Sequence, residues 1–482
     1  MNNKKVLVIG VVIGFILGSA LTVFANISIQ AILNEQVKVF LNGEIKTFVD
    51  ETTGEKQYPI TYNNRTYLPL RNIANLVGLE IDYDANTNSI LLGKNENKVE
   101  EKEVQTYSKY LSGTEFNNAV KELVGDDSSS NNDGVMLDQK IVSIQMATNK
   151  PSDDIIKKAK NVGVNIDGYL PIYAWNDNYT IKIWSDANVI SLNEDASKMF
   201  KDFSELKSIS LKDVLGSNID TSNVTNMYKM FDNCFRLEQI DLSGINTSNV
   251  TNMGSMFQSC PNLKELNLKD FDTHKVETMS NMFNNDNNLT TLDISSFDTS
   301  NVKYMSAMFS GLKKLTTIDV SHFDTKNVVS MMALFNNCQN ITKLDISNFD
   351  TSNVESFSDM FYGCLKLSDL DLSSFNTKKA TTMSDMFTFC WGLKTLDLSS
   401  FDTHNVIYFH NMFNSCSNLE KIYVSDSFVI TNKVKNSTDM FNNCEKLVGG
   451  KGTKFNINFA DKTLARIDGG ETIPGYFSEK SR

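Results

Sequence analysis

Between Leu289 and Phe309 the apolar side chains fall at Leu289, Leu292, Ile294, Phe297, Val302, Met305, Met308 and Phe309, with polar residues between them. Leu292-Asp293-Ile294-Ser295 alternates with a period of two, which predicts a short strand that points Leu292 and Ile294 inward. Val302, Met305, Met308 and Phe309 then recur at the spacing that lines one face of a short helical turn. Asp298-Thr299-Ser300 stands where that turn begins, with side-chain oxygens that can accept from its unpaired N–H groups. One unit therefore reads as strand, turn, short helix and return.

The unit repeats. The pairs Met230-Phe231, Met256-Phe257, Met282-Phe283, Met308-Phe309, Leu334-Phe335, Met360-Phe361, Met386-Phe387 and Met412-Phe413 follow one another at 26 residues. Wider steps lead to Met199-Phe200 before the series and Met440-Phe441 after it, as expected where end turns become caps. No single unit can bury its apolar side alone, whereas stacked copies form a continuous core. The expected fold is an α/β solenoid, a right-handed coil of 26-residue turns over residues 199–445 with a parallel sheet along one face. Turns in such a stack lie roughly 5 Å apart.

The recurring string, seen as Leu370-Asp-Leu-Ser-Ser-Phe-Asn-Thr followed by Met383-Ser-Asp-Met-Phe-Thr-Phe-Cys-Trp-Gly-Leu393, resembles the BspA-like leucine-rich repeats of bacterial surface proteins. Ile172 to Ile181 resembles the entry segment of that family. Ala465-Arg-Ile-Asp-Gly-Gly with Pro474-Gly-Tyr-Phe477 resembles its closing segment, within a C-terminal cap over 446–482. In the first cap Phe203 stands in place of the repeat cysteine. The resemblance implies adhesion to host or matrix proteins or to other cells.

Ahead of the repeats the pattern changes. Met1 to Ala25 carries Lys4 and Lys5, an apolar run from Val6 to Phe24 and a small residue at Ala25, which reads as an export signal; cleavage and retention as an anchor are both open. Residues 26–94 read as a small α+β domain. Asn42-Gly43 and Asn63-Asn64 turn two hairpins, Pro69 to Val77 has helical spacing, and strands Leu79 to Tyr83 and Ser89 to Leu92 follow. Tyr67-Leu-Pro-Leu-Arg71 with Ala74, Gly78 and Ile81-Asp-Tyr83 resembles the stalk domain described as copper amine oxidase N-terminal-like. This stretch has no histidine for copper chemistry. Charge alternation and the run Asp126 to Gly134 make 95–134 a flexible tether, in which Tyr107 to Val124 has weak helical spacing. Residues 135–198 form the expected N-terminal cap, with an amphipathic segment (Ile155, Ile156, Ala159, Val162) placed over the open end of the core.

The net charge of −12 opposes nucleic acid or an anionic membrane surface as partner. Membrane contact is expected only through the N-terminal segment if it is uncleaved. All seven cysteines, from Cys234 to Cys444, lie three residues after a repeat phenylalanine, so they read as a buried ladder of free thiols rather than disulfides. His274 and His404 share a column five repeats apart, too far to share a metal, and His404 and His410 stand near Asp402. No nucleophile with a base, metal cluster or phosphate loop is legible, so no catalytic residue, cofactor or metal is assigned.

What remains is surface. Between the inward residues of each strand one side chain points out, giving the column Asp241, Asn267, Asp293, Asp319, Asp345, Asp371, Asp397 and Tyr423. Stacked carboxylates repel by about 1 kcal/mol per neighbouring pair in water. Local hydrogen bonding, a basic partner and Ca²⁺-like ions are three readings of the column. Beside it Gln239, Glu265, Thr291, Thr317, Lys343, Asp369, Thr395 and Lys421 vary from rung to rung, where specificity can reside. The expected protein is extracellular, at the cell surface or secreted, and binds protein or cell-surface ligands through this face. The competing expectation is a structural cell-envelope component whose stalk holds wall polymer and whose repeats act as spacer.

Overall fold

The computed structural model describes residues 105–125, 140–216 and 219–480 and, within 1–104, the strands named below and Ala74. The chain divides into two compact units, Met1–Val104 and Gln105–Arg482. The export segment and the tether run 126–134 lie outside the described residues.

In the first unit, Val39–Leu41 pairs antiparallel with Glu44–Lys46, and Ile60–Tyr62 pairs with Arg65–Tyr67. Leu41 faces Glu44 and Tyr62 faces Arg65, so the strands of both expected hairpins pair, while the turn residues between them lie outside the described residues. Ile60–Tyr62 also pairs with Ile32–Leu33, Phe48–Val49 with Lys56–Gln57, and Ile81–Asp84 with Ser89–Leu92. Of the expected helix over 69–77 only Ala74 is described, and it is helical and buried.

The second unit is a repeat solenoid. Parallel bridges step through it from Asn226 to Asn252, Thr278, Tyr304, Ser330, Ser356, Thr382 and Tyr408. On the strand side, Lys343–Leu344 pairs parallel with Asp369–Leu370, Thr395–Leu398 with Lys421–Val424, and Asn267 bridges Asp293. Leu292 and Ile294 are buried and Asp293 is exposed, as their alternation predicts. Inside, the rings of Phe200, Phe231, Phe257, Phe283, Phe309, Phe335, Phe361, Phe387, Phe413 and Phe441 lie face to face in one column. Neighbouring centroids are 5.3–6.1 Å apart and planes agree within 16°.

The expected helix within each repeat is absent from the described turns. An α-helix sends every N–H to the carbonyl four residues back. Here the N–H groups alternate: Met308 N donates to Met305 O (3.2 Å) and Ser310 N to Ala307 O (3.1 Å), but Ala307 N donates to Met332 O (2.8 Å) and Phe309 N to Leu334 O (3.1 Å) of the next turn. Linked four-residue turns replace the helix, and Ala307 adopts φ 55° and Gly311 φ 77° to make them. The same apolar residues are buried, because these turns also bring Val302, Met305, Met308 and Phe309 to one side.

The N-terminal end differs from expectation as well. Residues 107–124, read as part of a tether, belong to the cap. Tyr107–Lys109 pairs parallel with Val189–Ser191, and helix Gly113–Val124 follows. Ser112 and Glu115 form a reciprocal capping box at its start, and Phe116, Ala119 and Val120 make its buried face. Phe116 meets Phe200 edge-on at 5.9 Å and so closes the phenylalanine column. A Cβ on Gly113 would lie 2.3 Å from Ser197 O, so glycine is what permits this approach. A single-sequence reading misses the cap because the core it covers is supplied by residues some eighty positions away. Of the amphipathic segment only Val162 is buried; Ile155 is exposed, since the cap sheet is built instead from Ser143–Met146, Thr180–Trp184, Tyr173–Asp177 and Lys160–Asn161.

At the far end Tyr476 and Phe477 close on Phe441 at 5.1 and 5.8 Å. Asp468 ties this cap together, accepting from Lys451 N (2.7 Å), Thr453 N (3.0 Å), Thr453 Oγ1 (2.8 Å) and Gly470 N (2.9 Å). Desolvation opposes its charge, yet these donors outweigh it and hold the carboxyl well below the usual range. No helix among the described residues is long and apolar enough to cross a membrane.

Candidate functional site

Because successive strand residues point to opposite faces and the pairing is parallel and in register, the predicted outward column is formed in space. Ser210 stands opposite Asp241, Asn267 opposite Asp293, and Asp397 opposite Tyr423. Asp241, Asp293, Asp319, Asp345 and Asp371 are exposed; Asp397 and Tyr423 are half-buried, and the C-terminal strand Ser478–Glu479 pairs alongside Tyr423–Val424 in the same sheet. In the neighbouring column Lys343 pairs with Asp369 at 2.9 Å, and Lys421 Nζ donates to Gly449 O at 3.1 Å.

Each carboxylate of the column is fixed by its own turn. Oδ1 accepts from the N–H two residues on: Ser243 (2.9 Å), Ser295 (3.1 Å), Ser321 (3.0 Å), Ser347 (3.3 Å), Ser373 (2.9 Å) and Ser399 (3.0 Å). The hydroxyls of Ser295, Ser321 and Ser347 add a second bond at 2.7 Å. These bonds hold Asp241, Asp293, Asp319, Asp345 and Asp371 below the usual carboxylate range. At Asp397 burial opposes the charge, and Lys480, which pairs with it, together with Ser399 brings the pKa down. Local hydrogen bonding therefore accounts for Asp at these rungs, and it also aims an ionised row of carboxylates outward.

At its N-terminal end the face deepens into a cleft of about 680 Å³ between cap strand Ser143–Met146 and the first coils. Asp213, Asp241, Glu265 and Asp293 line it with Ile144, Ile209, Ile240 and Leu266, and none of the described lining residues is Lys or Arg. Sequence reasoning reached Asp241 and Asp293 but not Asp213 or the cap wall, because no periodicity ties the cap to these coils.

The histidines separate. His274 and His404 each turn to the aspartate two residues before them, Asp272 (2.6 Å) and Asp402 (2.7 Å), and His322 Nε2 meets Ile294 O at 3.1 Å. His410 points elsewhere. Its Nδ1 is 2.9 Å from Ser384 Oγ and its Nε2 3.3 Å from Asp385 Oδ2. Desolvation and the charge of Asp385 raise nearby Asp359 to about 6. A serine, a histidine and a carboxylate thus meet where the sequence showed none, since Ser384 and His410 are one turn apart in the stack. Nearby N–H groups are tied into the coil: Ser384 N donates to Thr382 Oγ1, Asp385 N to His410 O and Met386 N to Met383 O.

The seven cysteines are free and buried, and each thiol donates to the carbonyl of a phenylalanine one turn back, as Cys364 does to Phe335 O at 3.1 Å. Burial pushes the Cys364 and Cys416 thiols up to about 12. Asp286 takes a cysteine's place in this column. Its Oδ1 accepts from Cys260 N at 2.8 Å while Oδ2 has no protein partner, and burial raises its pKa well above the carboxylate range. Among the described residues no group of three or more His, Cys, Asp or Glu is arranged to hold a metal.

Comparison with known proteins rests on the repeats. The family model described as Mycoplasma protein of unknown function, DUF285, matches residues 173–265, 194–292, 260–364 and 330–455, together more than half of the 482 residues. The chain belongs to this family. Its repeats are of the BspA-like leucine-rich kind, and it carries an N-terminal stalk: a second model, copper amine oxidase N-terminal domain, matches residues 48–128. Neither is an enzymatic module. A solved leucine-rich repeat protein from Eubacterium ventriosum aligns at 15% identity and a TM-score of 0.23, over 55% of this chain and 91% of that one. No curated protein matches.

Proposed function

We propose that this chain is an exported bacterial surface protein that binds protein or cell-surface ligands through the strand face of its solenoid. In this reading each repeat is one 26-residue turn of a right-handed coil, and the stalk and preceding segment hold the solenoid at the cell surface. The observation that carries it is the outward row of carboxylates, each fixed by its own turn and leading into a cleft whose described lining is acidic and apolar without a cation. Oxygens fixed before binding lose little freedom on association, and a row of one sign draws a basic ligand in. The varied column of Glu265, Lys343, Asp369 and Lys421 beside it supplies selectivity.

The test uses Asp319→Asn, Asp345→Asn and Asp371→Asn together. Asn267 already shows that an amide keeps the turn bond, accepting from Lys269 N at 3.3 Å, so this variant loses charge and keeps its fold. Binding of the full chain to matrix proteins, host cells and purified cell wall is followed at low and physiological salt. The parent should associate more slowly as salt rises, and the variant should be slow at both. Equal association rates for the two proteins at both salt levels would rule out the acidic face. Capture by purified wall alone, unaffected by the variant, would favour the structural envelope reading through the stalk.

A further inference from the structure

Two open sheet margins meet at the acidic cleft. Ser143–Met146 is the end strand of the four-stranded cap sheet, paired on one side with Thr180–Trp184, and Ser208–Ser210 pairs with Gln239–Asp241 of the coil. Among the described residues neither Ser143–Met146 nor Ser208–Ser210 has a second strand partner. Both line the cleft. Helix Leu211–Leu215 follows directly on Ser208–Ser210 and packs on Ser143–Met146, which fixes the two margins at one cleft without pairing them.

A strand margin presents a row of N–H and C=O groups that an extended chain can pair with, and proteins blunt such margins with charge, proline or a covering element. Other margins of this solenoid are blunted. Lys160–Asn161, at the far side of the cap sheet, carries Lys160 paired with Glu122, and Ser478–Glu479 is followed by Lys480 paired with Asp397. Neither Ser143-Ile-Gln-Met146 nor Ser208-Ile-Ser210 contains a charge or a proline. The charge stands beside them, on the exposed carboxylates of Asp213, Asp241, Glu265 and Asp293, with no Lys or Arg in the described lining. Lys212, outside the lining, acts weakly on Asp241, after its hydrogen bonds to Ser243 and Ser210.

We propose that the cleft takes an extended, lysine- or arginine-bearing segment of a partner protein, which adds as a strand to the margin Ser143–Met146 and sets its cations among the four carboxylates. This deepens the binding proposed for the strand face and rests on it. Main-chain pairing supplies affinity whatever the sequence, and side chains on alternate sides of the added strand supply selectivity. The charge also says that the segment is foreign. Residues 126–139, which lead toward this strand, hold Asp126, Asp127, Asp133 and Asp138 and no Lys or Arg, and a second copy of the chain brings a net charge of −12. Both are repelled where a basic segment is drawn in.

The probe is a peptide of alternating lysine and threonine, blocked at both ends and titrated into the full chain. Its controls are the glutamate–threonine peptide and the lysine–threonine peptide N-methylated at every residue, which keeps the charge and has no N–H to offer. The parent should bind the lysine peptide saturably and the glutamate peptide not at all, and amide exchange over 143–146 should slow when the lysine peptide is bound. N-methylation should weaken binding roughly tenfold or more, and so should Asp241→Asn combined with Glu265→Gln. The variant Asp319→Asn, Asp345→Asn, Asp371→Asn should bind the peptide as the parent does. Equal binding of the N-methylated peptide, or unchanged exchange over 143–146, overturns strand addition; if the Asp241 and Glu265 variant still weakens binding, the acidic face itself stands. Weakening by the Asp319, Asp345 and Asp371 variant as large as that of the cleft variant places the segment along the row and overturns the cleft alone. Absence of saturation with the lysine peptide also overturns the inference, whatever matrix proteins, host cells and cell wall show for the face.

Discussion

Thr273 Oγ1 donates to Asp298 O at 2.9 Å and accepts from Asp298 N at 2.8 Å, so one buried hydroxyl serves both backbone groups of a residue in the next turn. Thr247 does the same for Asp272, and Thr377 for Asp402. These threonines join turns where no strand does. Thr273→Val keeps the shape and removes both bonds, and it should cost about 1–3 kcal/mol, while Thr273→Ser should cost less. Urea unfolding compares the variants; equal stability of parent and Val variant would mean that water replaces the hydroxyl.

The phenylalanine column makes each ring answerable to two neighbours. Phe309 stacks on Phe283 at 6.1 Å and on Phe335 at 5.6 Å. Phe309→Ala should cost about 3–5 kcal/mol, read as lost hydrogen-exchange protection in the turns on both sides. Loss confined to one turn would show that the column does not couple its members.

Thiols held this deep should be inert. In the folded protein the cysteines should resist alkylation until denaturant is added, because burial excludes reagent and pushes thiols such as Cys364 up. Cys364→Ser keeps a donor for Phe335 O and should be milder than substitutions that enlarge the side chain. Mass spectrometry of the native protein should find no disulfide.

Asp286 should make stability fall as pH rises. Its folded pKa is raised, so its contribution is full below the unfolded value of about 4 and is lost as pH climbs through the folded value. Asp286→Cys restores the column residue and should exceed the parent in stability at pH 8, with the gap closing toward pH 4. A gap that does not change with pH would assign the effect to packing alone.

The sequence by itself determined the repeat, the residues that point inward and the column that points out. A fixed period forces each residue type onto one line of a stack, so Asp319 and Asp345 had to be neighbours whatever the backbone between them. The buried cysteine and phenylalanine columns were legible for the same reason. Only the tertiary structure decided how the backbone between them is bonded. Apolar spacing is alike for a helix and for linked turns, and the choice fell to turns because alternate N–H groups find carbonyls in the next coil, as Phe309 N finds Leu334 O. Threonine's role stayed hidden because a hydroxyl that bridges two turns looks, within one turn, like a cap. The meeting of Ser384 with His410, the closure of Phe200 by Phe116 and the acidic cleft beside Ser143 were equally out of reach. Each joins residues from different turns or from the cap, where contact is set by packing and not by order along the chain.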